Sequence, residues 1–113
     1  MYRHLLLVRF QEAAAAADIA AVLQAFLLLK DEVAGLSAVE WGENDSPEGK
    51  NAGFTHVVLM SFVDAAARDA YLPHPAHAAL KRIFRPVLAD IIVIDYLPRP
   101  AATPGHGGRE PRS

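Results

Sequence analysis

The segment from Phe54 to Phe62 constrains the fold of this chain more than any other. Phe54, His56, Val58, Met60 and Phe62 alternate with Thr55, Val57, Leu59 and Ser61, and a two-residue period puts the two sets on opposite faces of a β-strand. Residues 2 to 10 repeat the arrangement, with His4, Leu6, Val8 and Phe10 on one face and Leu5, Leu7 and Arg9 on the other. Both strands are substantially apolar on both sides, so each face of their sheet needs a cover. A workable fold therefore supplies helices for one face and something else for the other.

From Asp18 onward, Ile19, Val22, Leu23, Phe26, Leu27 and Val33 recur at helical spacing, and Gly35 is the natural stop of that helix. A second strand is predicted over Leu36 to Gly42, followed by a polar loop from Glu43 to Gly53. Asp64 is placed to cap a short helix ending at Tyr71. After the Pro73/Pro75 break a further helix runs from His74 towards Arg85 and is closed by Pro86, with Ala76, Leu80, Ile83 and Phe84 as its apolar side. Asp90 to Leu97 is strongly β-branched and reads as the last strand. The domain is thus expected over residues 1–97, and a disordered Pro/Gly-rich tail over 98–113.

The order β-α-β-β-α-β is the split βαβ arrangement of a ferredoxin-like α+β fold. Its helices cover one sheet face. The other presents Leu5, Leu7, Val57 and Leu59 mixed with Arg9, Thr55, Ser61 and Glu40, a pattern suited to packing against the same sheet of a second subunit. A homodimer, closed into a dimeric α/β barrel, is the expected assembly. At 113 residues and 52% hydrophobic content the chain is one domain with a real core, yet small enough to gain from such pairing.

Charge and composition remove several function classes. Of 11 basic and 13 acidic residues, Arg99, Arg109, Arg112 and Glu110 lie beyond Leu97. The folded part is therefore net acidic and lacks the basic footprint of a nucleic-acid-binding protein. The absence of cysteine excludes disulfides and thiol catalysis. The apolar run Leu5–Val8 is too short, and closed too soon by Arg9, for a signal peptide. Longer apolar stretches are broken by Asp18, Gln24 or Lys30, so no membrane span is expected, and the default location is the cytoplasm.

Chemistry concentrates in Tyr71-Leu72-Pro73-His74-Pro75-Ala76-His77. Pro75 suits the first helical position, where a missing N–H costs nothing, which makes His74 the cap residue and puts His77 in the first turn. A phenol of ordinary pKa about 10 and an imidazole of about 6.5 can act as acid and base if a cavity lies beside them. The alternative is structural: a tyrosine closing the core and a histidine satisfying loop carbonyls. His4 and His56 each open an apolar strand face and are expected either to point into the same space as His77 and orient a substrate or Tyr71, or to be plain strand-end histidines bonded to backbone or water. No metal site is expected, since His74 and His77 lack a neighbouring carboxylate and a capping His74 points elsewhere.

Taken together, His4 at the first strand, Trp41-Gly42 ending the second, Gly53-Phe54-Thr55-His56 entering the third, Tyr71 with His74-Pro75-Ala76-His77, and Ile94-Asp95-Tyr96 near the end make the chain similar to the stress-responsive α/β-barrel (Dabb) family over about residues 2 to 97. The resemblance implies a ferredoxin-like subunit that dimerises sheet against sheet. In a plant polyketide cyclase of that family a Tyr and a His form the acid–base pair of an intramolecular aldol-type cyclisation. Those roles fall on Tyr71 and His77, with pocket positions at His4 and His56 and apolar lining from Leu23, Phe26 and Val58. Two functions follow. One is a cofactor-independent cyclase or lyase acting on a polyketide-like or β-keto acid. The other is a non-catalytic, stress-associated dimer that binds a small apolar or aromatic acid.

Three further expectations concern single residues. Trp41 and Phe62 read as core. Asp95, in an otherwise apolar strand, needs a partner if buried, and Arg9 or an arginine of a second subunit is the expected one. The cluster Lys81, Arg82 and Arg85 reads as a solvated helix end, with reception of an anionic substrate or a coenzyme A phosphate as the alternative.

Overall fold

A computed structural model describes residues 1–100. Four strands and three helices follow one another as β1 (Tyr2–Phe10), α1 (Ala16–Glu32), β2 (Leu36–Glu43), β3 (His56–Phe62), α2 (Ala65–Tyr71), α3 (Pro75–Phe84) and β4 (Leu88–Tyr96), with a single 3-10 turn at Arg85–Val87. The sheet order is β2-β3-β1-β4, with every neighbouring pair antiparallel. This is the ferredoxin-like α+β fold that the alternating strands and intervening helices require. From residue 101 on, the expected tail lies outside the described residues, and Pro98 to Pro100 carry no regular structure.

The inward sheet face and the helices form one core. Leu6, Val8, Val58, Met60 and Phe62 meet Val22, Leu23, Phe26 and Leu29 of α1 and Leu80 and Phe84 of α3, all buried. Within α3, Leu80 and Phe84 are one turn apart and share the inner stripe. Ile83, expected on that stripe, is instead 44% exposed, because it falls on the outer side where α3 runs past Leu28 and Leu29 of α1. Phe62 is core as expected, but Trp41 is 38% exposed. It sits on β2, an edge strand of the sheet, where it borders an open groove along α1.

The turns follow from their residues. Asp64 accepts a hydrogen bond from the Ala67 N–H at 2.8 Å and caps α2. Gly35 takes φ of +82°, and a Cβ there would stand 2.6 Å from that of Ala67, so only glycine lets the end of α1 pass this close to α2. The opposite sheet face has no cover within the chain. Ile92, Ile94 and Tyr96 are 41–46% exposed and stand beside the half-covered Leu5, Leu7, Val57 and Leu59. Among the described residues no helix is long and apolar enough to cross a membrane.

Candidate active site

A cavity of about 250 Å³ opens between α3 and the inward face of β1 and β4. Tyr71, His77 and His4 line it together with apolar walls from Leu6, Phe26 and Phe84. Each polar group arrives by a separate local rule. Tyr71 is the last residue of α2, and its carbonyl accepts the His74 N–H at 2.9 Å, which starts the tight connection to α3. His74 caps α3, its Nδ1 accepting from the Ala76 N–H at 2.9 Å. Two residues into the helix after Pro75, His77 then faces back towards Tyr71.

The Tyr71 and His77 rings lie 4.4 Å apart between centroids at an interplanar angle of 34°. Tyr71 is 1% exposed, and burial pushes its phenol well above the ordinary value. It is therefore a neutral O–H at physiological pH, able to donate to a developing oxygen anion. The His77 Nδ1 lies 2.8 Å from the Leu72 carbonyl. A carbonyl only accepts, so Nδ1 carries the proton and Nε2 keeps its lone pair. Burial lowers the His77 imidazole below its usual value against the pull of that Leu72 bond, and the positive charges of Lys81 and Arg85 act in the same direction as burial. The free nitrogen is thus available as a base.

His4 is 7% exposed and its Nδ1 lies 2.6 Å from Asp95 Oδ1. The two residues are directly opposed in the β1–β4 ladder, which is why a strand-opening histidine and a late acidic residue meet. The other Asp95 oxygen accepts from Arg68 of α2, whose guanidinium also stands 4.9 Å over the Tyr2 ring. This corrects the expected Arg9 partner: Arg9 lies on the outward sheet face and approaches Asp90 at 3.8 Å. Burial lowers the His4 imidazole to about 4, and the positive charge of Arg68 acts in the same direction. His4 is therefore neutral, donating from Nδ1 to Asp95 and keeping Nε2 as an acceptor.

His4, Phe26, Tyr71 and His77 come together, but His56, Leu23 and Val58 do not join them. β1 and β3 are antiparallel, so residues that open the two strands lie at opposite ends of the sheet, with His4 paired to Met60 and His56 to Val8. His56 instead bonds Thr55 Oγ1 at 2.8 Å and stacks edge-on to Phe10. It lines a separate groove with Leu23 and Trp41. Val58 is fully buried beneath α1 and α3. Conversely, Lys81 and Arg85, expected on a solvated helix end, line the cavity, whereas Arg82 points away and is exposed. Their i, i+4 and i, i+8 spacing from His77 was the available sign. Asp95 was legible as the partner of His4 only once the β1–β4 register was known, and Arg68 only once α2 was placed beside Asp95.

The family model for the "Stress responsive A/B Barrel Domain" matches residues 2–98. The Arabidopsis thaliana stress-response A/B barrel protein HS1 is 30% identical over 96 residues, covering 85% of this chain and 88% of that protein. Olivetolic acid cyclase from Cannabis sativa is 25% identical over 97 residues, covering 86% and 96%. Among solved structures, the A. thaliana protein At3g17210 superposes with a TM-score of 0.86 at 28% identity, covering 91% of this chain and all of that one. Three further solved neighbours, with TM-scores of 0.65 to 0.75, are described as dimeric and ferredoxin-like.

Proposed function

The chain belongs to the stress-responsive A/B barrel (Dabb) family, and from that membership we propose that its cavity performs cofactor-independent acid–base chemistry on a carbon acid. His77 Nε2 removes a proton from the carbon beside a carbonyl, and the neutral Tyr71 hydroxyl donates to the oxygen as negative charge develops there. An enolate made in this way attacks a second carbonyl in a cyclisation, the new alkoxide taking up the proton held by His77, or expels a leaving group from its β-carbon in a lyase reaction, the departing group taking that proton. The substrate class is a polyketide-like or β-keto acid, and the similarity to olivetolic acid cyclase supports it. His4, held by Asp95, orients the oxygen or the Tyr71 hydroxyl. The observation that carries the reading is the Leu72 carbonyl on His77 Nδ1, which leaves the base nitrogen free next to a phenol kept neutral by burial.

The uncovered sheet face supports a homodimer as the working unit, in line with the dimeric solved neighbours. Leu5, Leu7, Val57, Leu59, Ile92 and Ile94 would meet their counterparts in a second copy.

The test is proton exchange rather than turnover of a guessed substrate. In deuterated buffer the protein should speed deuterium entry beside the ketone of 4-oxo-4-phenylbutanoate, a stable stand-in for a β-keto acid, and His77→Ala should return the rate to background. Background exchange with the intact protein, or an unchanged rate in the variant, would overturn the acid–base reading. The mostly apolar walls and the resemblance to HS1 favour a second reading, a stress-associated dimer that holds a small acid unchanged. That reading predicts saturable movement of the His77 resonances without exchange.

A further inference from the structure

The cavity has a polarity that neither the acid–base pair nor the apolar walls explain. His77 and Lys81 of α3 and Arg85, its C-cap residue, follow one another at four-residue intervals and all three line it, so one stripe carries the base and two cations. His4 and Tyr71 lie at the closed end, 7% and 1% exposed. Lys81 is half-buried and Arg85 is exposed, placing their charges towards the mouth. None of the ion pairs among the described residues involves Lys81 or Arg85. Pro86 directly follows Arg85 in the 3-10 turn, and the Arg85 N–H bonds the Lys81 carbonyl, fixing the backbone on which the two side chains stand.

Two cations that no described residue pairs with, standing over an apolar hollow, form a receptor for an anion with an apolar body. Arg binds a carboxylate through its planar fork, and Lys lays its aliphatic stem along an apolar wall while its ammonium stays at the opening. The volume of about 250 Å³ lies below the usual range for drug-sized ligands, so the body must be small. We propose that the cavity receives a small carboxylic acid, with its carboxylate between Lys81 and Arg85 at the mouth and its apolar body directed inward to His77 and Tyr71. One helical turn advances about 5.4 Å. A carboxylate held at Lys81 therefore leaves carbons a few bonds away within reach of His77 Nε2. Lys81 and Arg85 are in this sense positioning residues, selecting acids over neutral analogues and setting which carbon meets the base. This inference rests on the cavity being the ligand site, but not on any reaction taking place there.

Cinnamate and cinnamide, which match in shape and differ in charge, separate the two ideas. Titrated against the full chain and followed by the His77 ring resonances, cinnamate should bind about tenfold tighter than cinnamide, a difference typical of one charge-assisted pair. Lys81→Met and Arg85→Gln should each remove most of that preference without changing cinnamide affinity. Arg85→Lys should retain part of it, and Arg82→Gln, outside the cavity, should leave it intact. Equal binding of acid and amide, or an equal loss in Arg82→Gln, would overturn the carboxylate assignment while leaving the acid–base reading to the exchange experiment. Displacement of cinnamate by coenzyme A at lower concentration would reassign the cations to phosphate. Failure of both compounds to move His77 would overturn the inference by removing the cavity as their receptor.

Discussion

Tyr71 and His77 lie six residues apart in sequence, yet their rings stand 4.4 Å apart between centroids, one ending α2 and the other in the first turn of α3. The Pro73–His74–Pro75 link makes this possible. It stops one helix, caps the next and returns the chain on itself within three residues.

Tyr71→Phe removes a hydroxyl that has no hydrogen-bond partner among the described residues and keeps the ring that fills the core. Its stability should stay within about 0.5 kcal/mol of the parent chain. Proton exchange into the keto acid should fall about a hundredfold, the size expected for one lost donor to an oxygen anion. Chemical denaturation and the exchange assay check both parts, and a large stability loss with unchanged exchange would make Tyr71 purely structural.

Acid should weaken the fold through His4. Its imidazole titrates at about 4 when folded and at about 6.5 when unfolded. Between those values the unfolded chain binds a proton that the folded chain does not. Stability is therefore full above about pH 6.5, declines as pH falls through the window and levels off below about 4. The integrated effect is about 3 kcal/mol, and His77, also lowered by burial, adds in the same direction. Urea midpoints measured from pH 4 to 7.5 should show the decline, and a His4→Gln variant should lose most of its slope. An equal slope in the variant would assign the effect to other groups.

Asp95→Asn should be more damaging than its partial exposure suggests. It leaves the Arg68 guanidinium without its carboxylate, and the one amide oxygen that remains can accept from His4 or from Arg68 but not from both. A loss of about 2 kcal/mol is expected, less than for a fully buried pair because Asp95 retains some solvent contact. Double-mutant cycles with Arg68→Met should show coupling, and additive effects would mean that the contact carries no net energy.

Replacing Leu59 by Lys puts a charge at the centre of the uncovered sheet face. If two copies pack there, sedimentation should show the parent chain as a dimer and Leu59→Lys as a monomer, with helix content preserved. A monomeric parent chain at tens of micromolar would remove the homodimer.

A backbone test of the α1–β2 turn is Gly35→Ala. The left-handed φ and the 2.6 Å approach to Ala67 together predict a loss of about 1–3 kcal/mol, read from the thermal midpoint. Little change would mean that α2 moves aside freely.

Most of the fold was legible because its signals are local. The Phe54–Phe62 alternation, the Asp64 cap and the Pro75 helix start each act within a few residues, and each sits where those residues dictate. His56 shows where such reading fails. Its place on a strand face was correct, but whether it joins His4 depends on strand direction, and antiparallel pairing sends the two to opposite ends. Asp95 fails for the same reason in reverse, since its partner His4 is 91 residues away.

The sequence alone determined the element order, the two-sided apolar sheet and the Tyr71–His77 motif, because periodicity, capping and proline chemistry are properties of neighbouring residues. Only the tertiary structure decided which histidine shares the cavity, that Asp95 orients His4 while burial and the Arg68 charge keep it neutral, and that Lys81 and Arg85 line the cavity mouth. Those outcomes depend on strand register and on how α3 packs across the sheet. Both are set by the summed burial of the core rather than by any one segment.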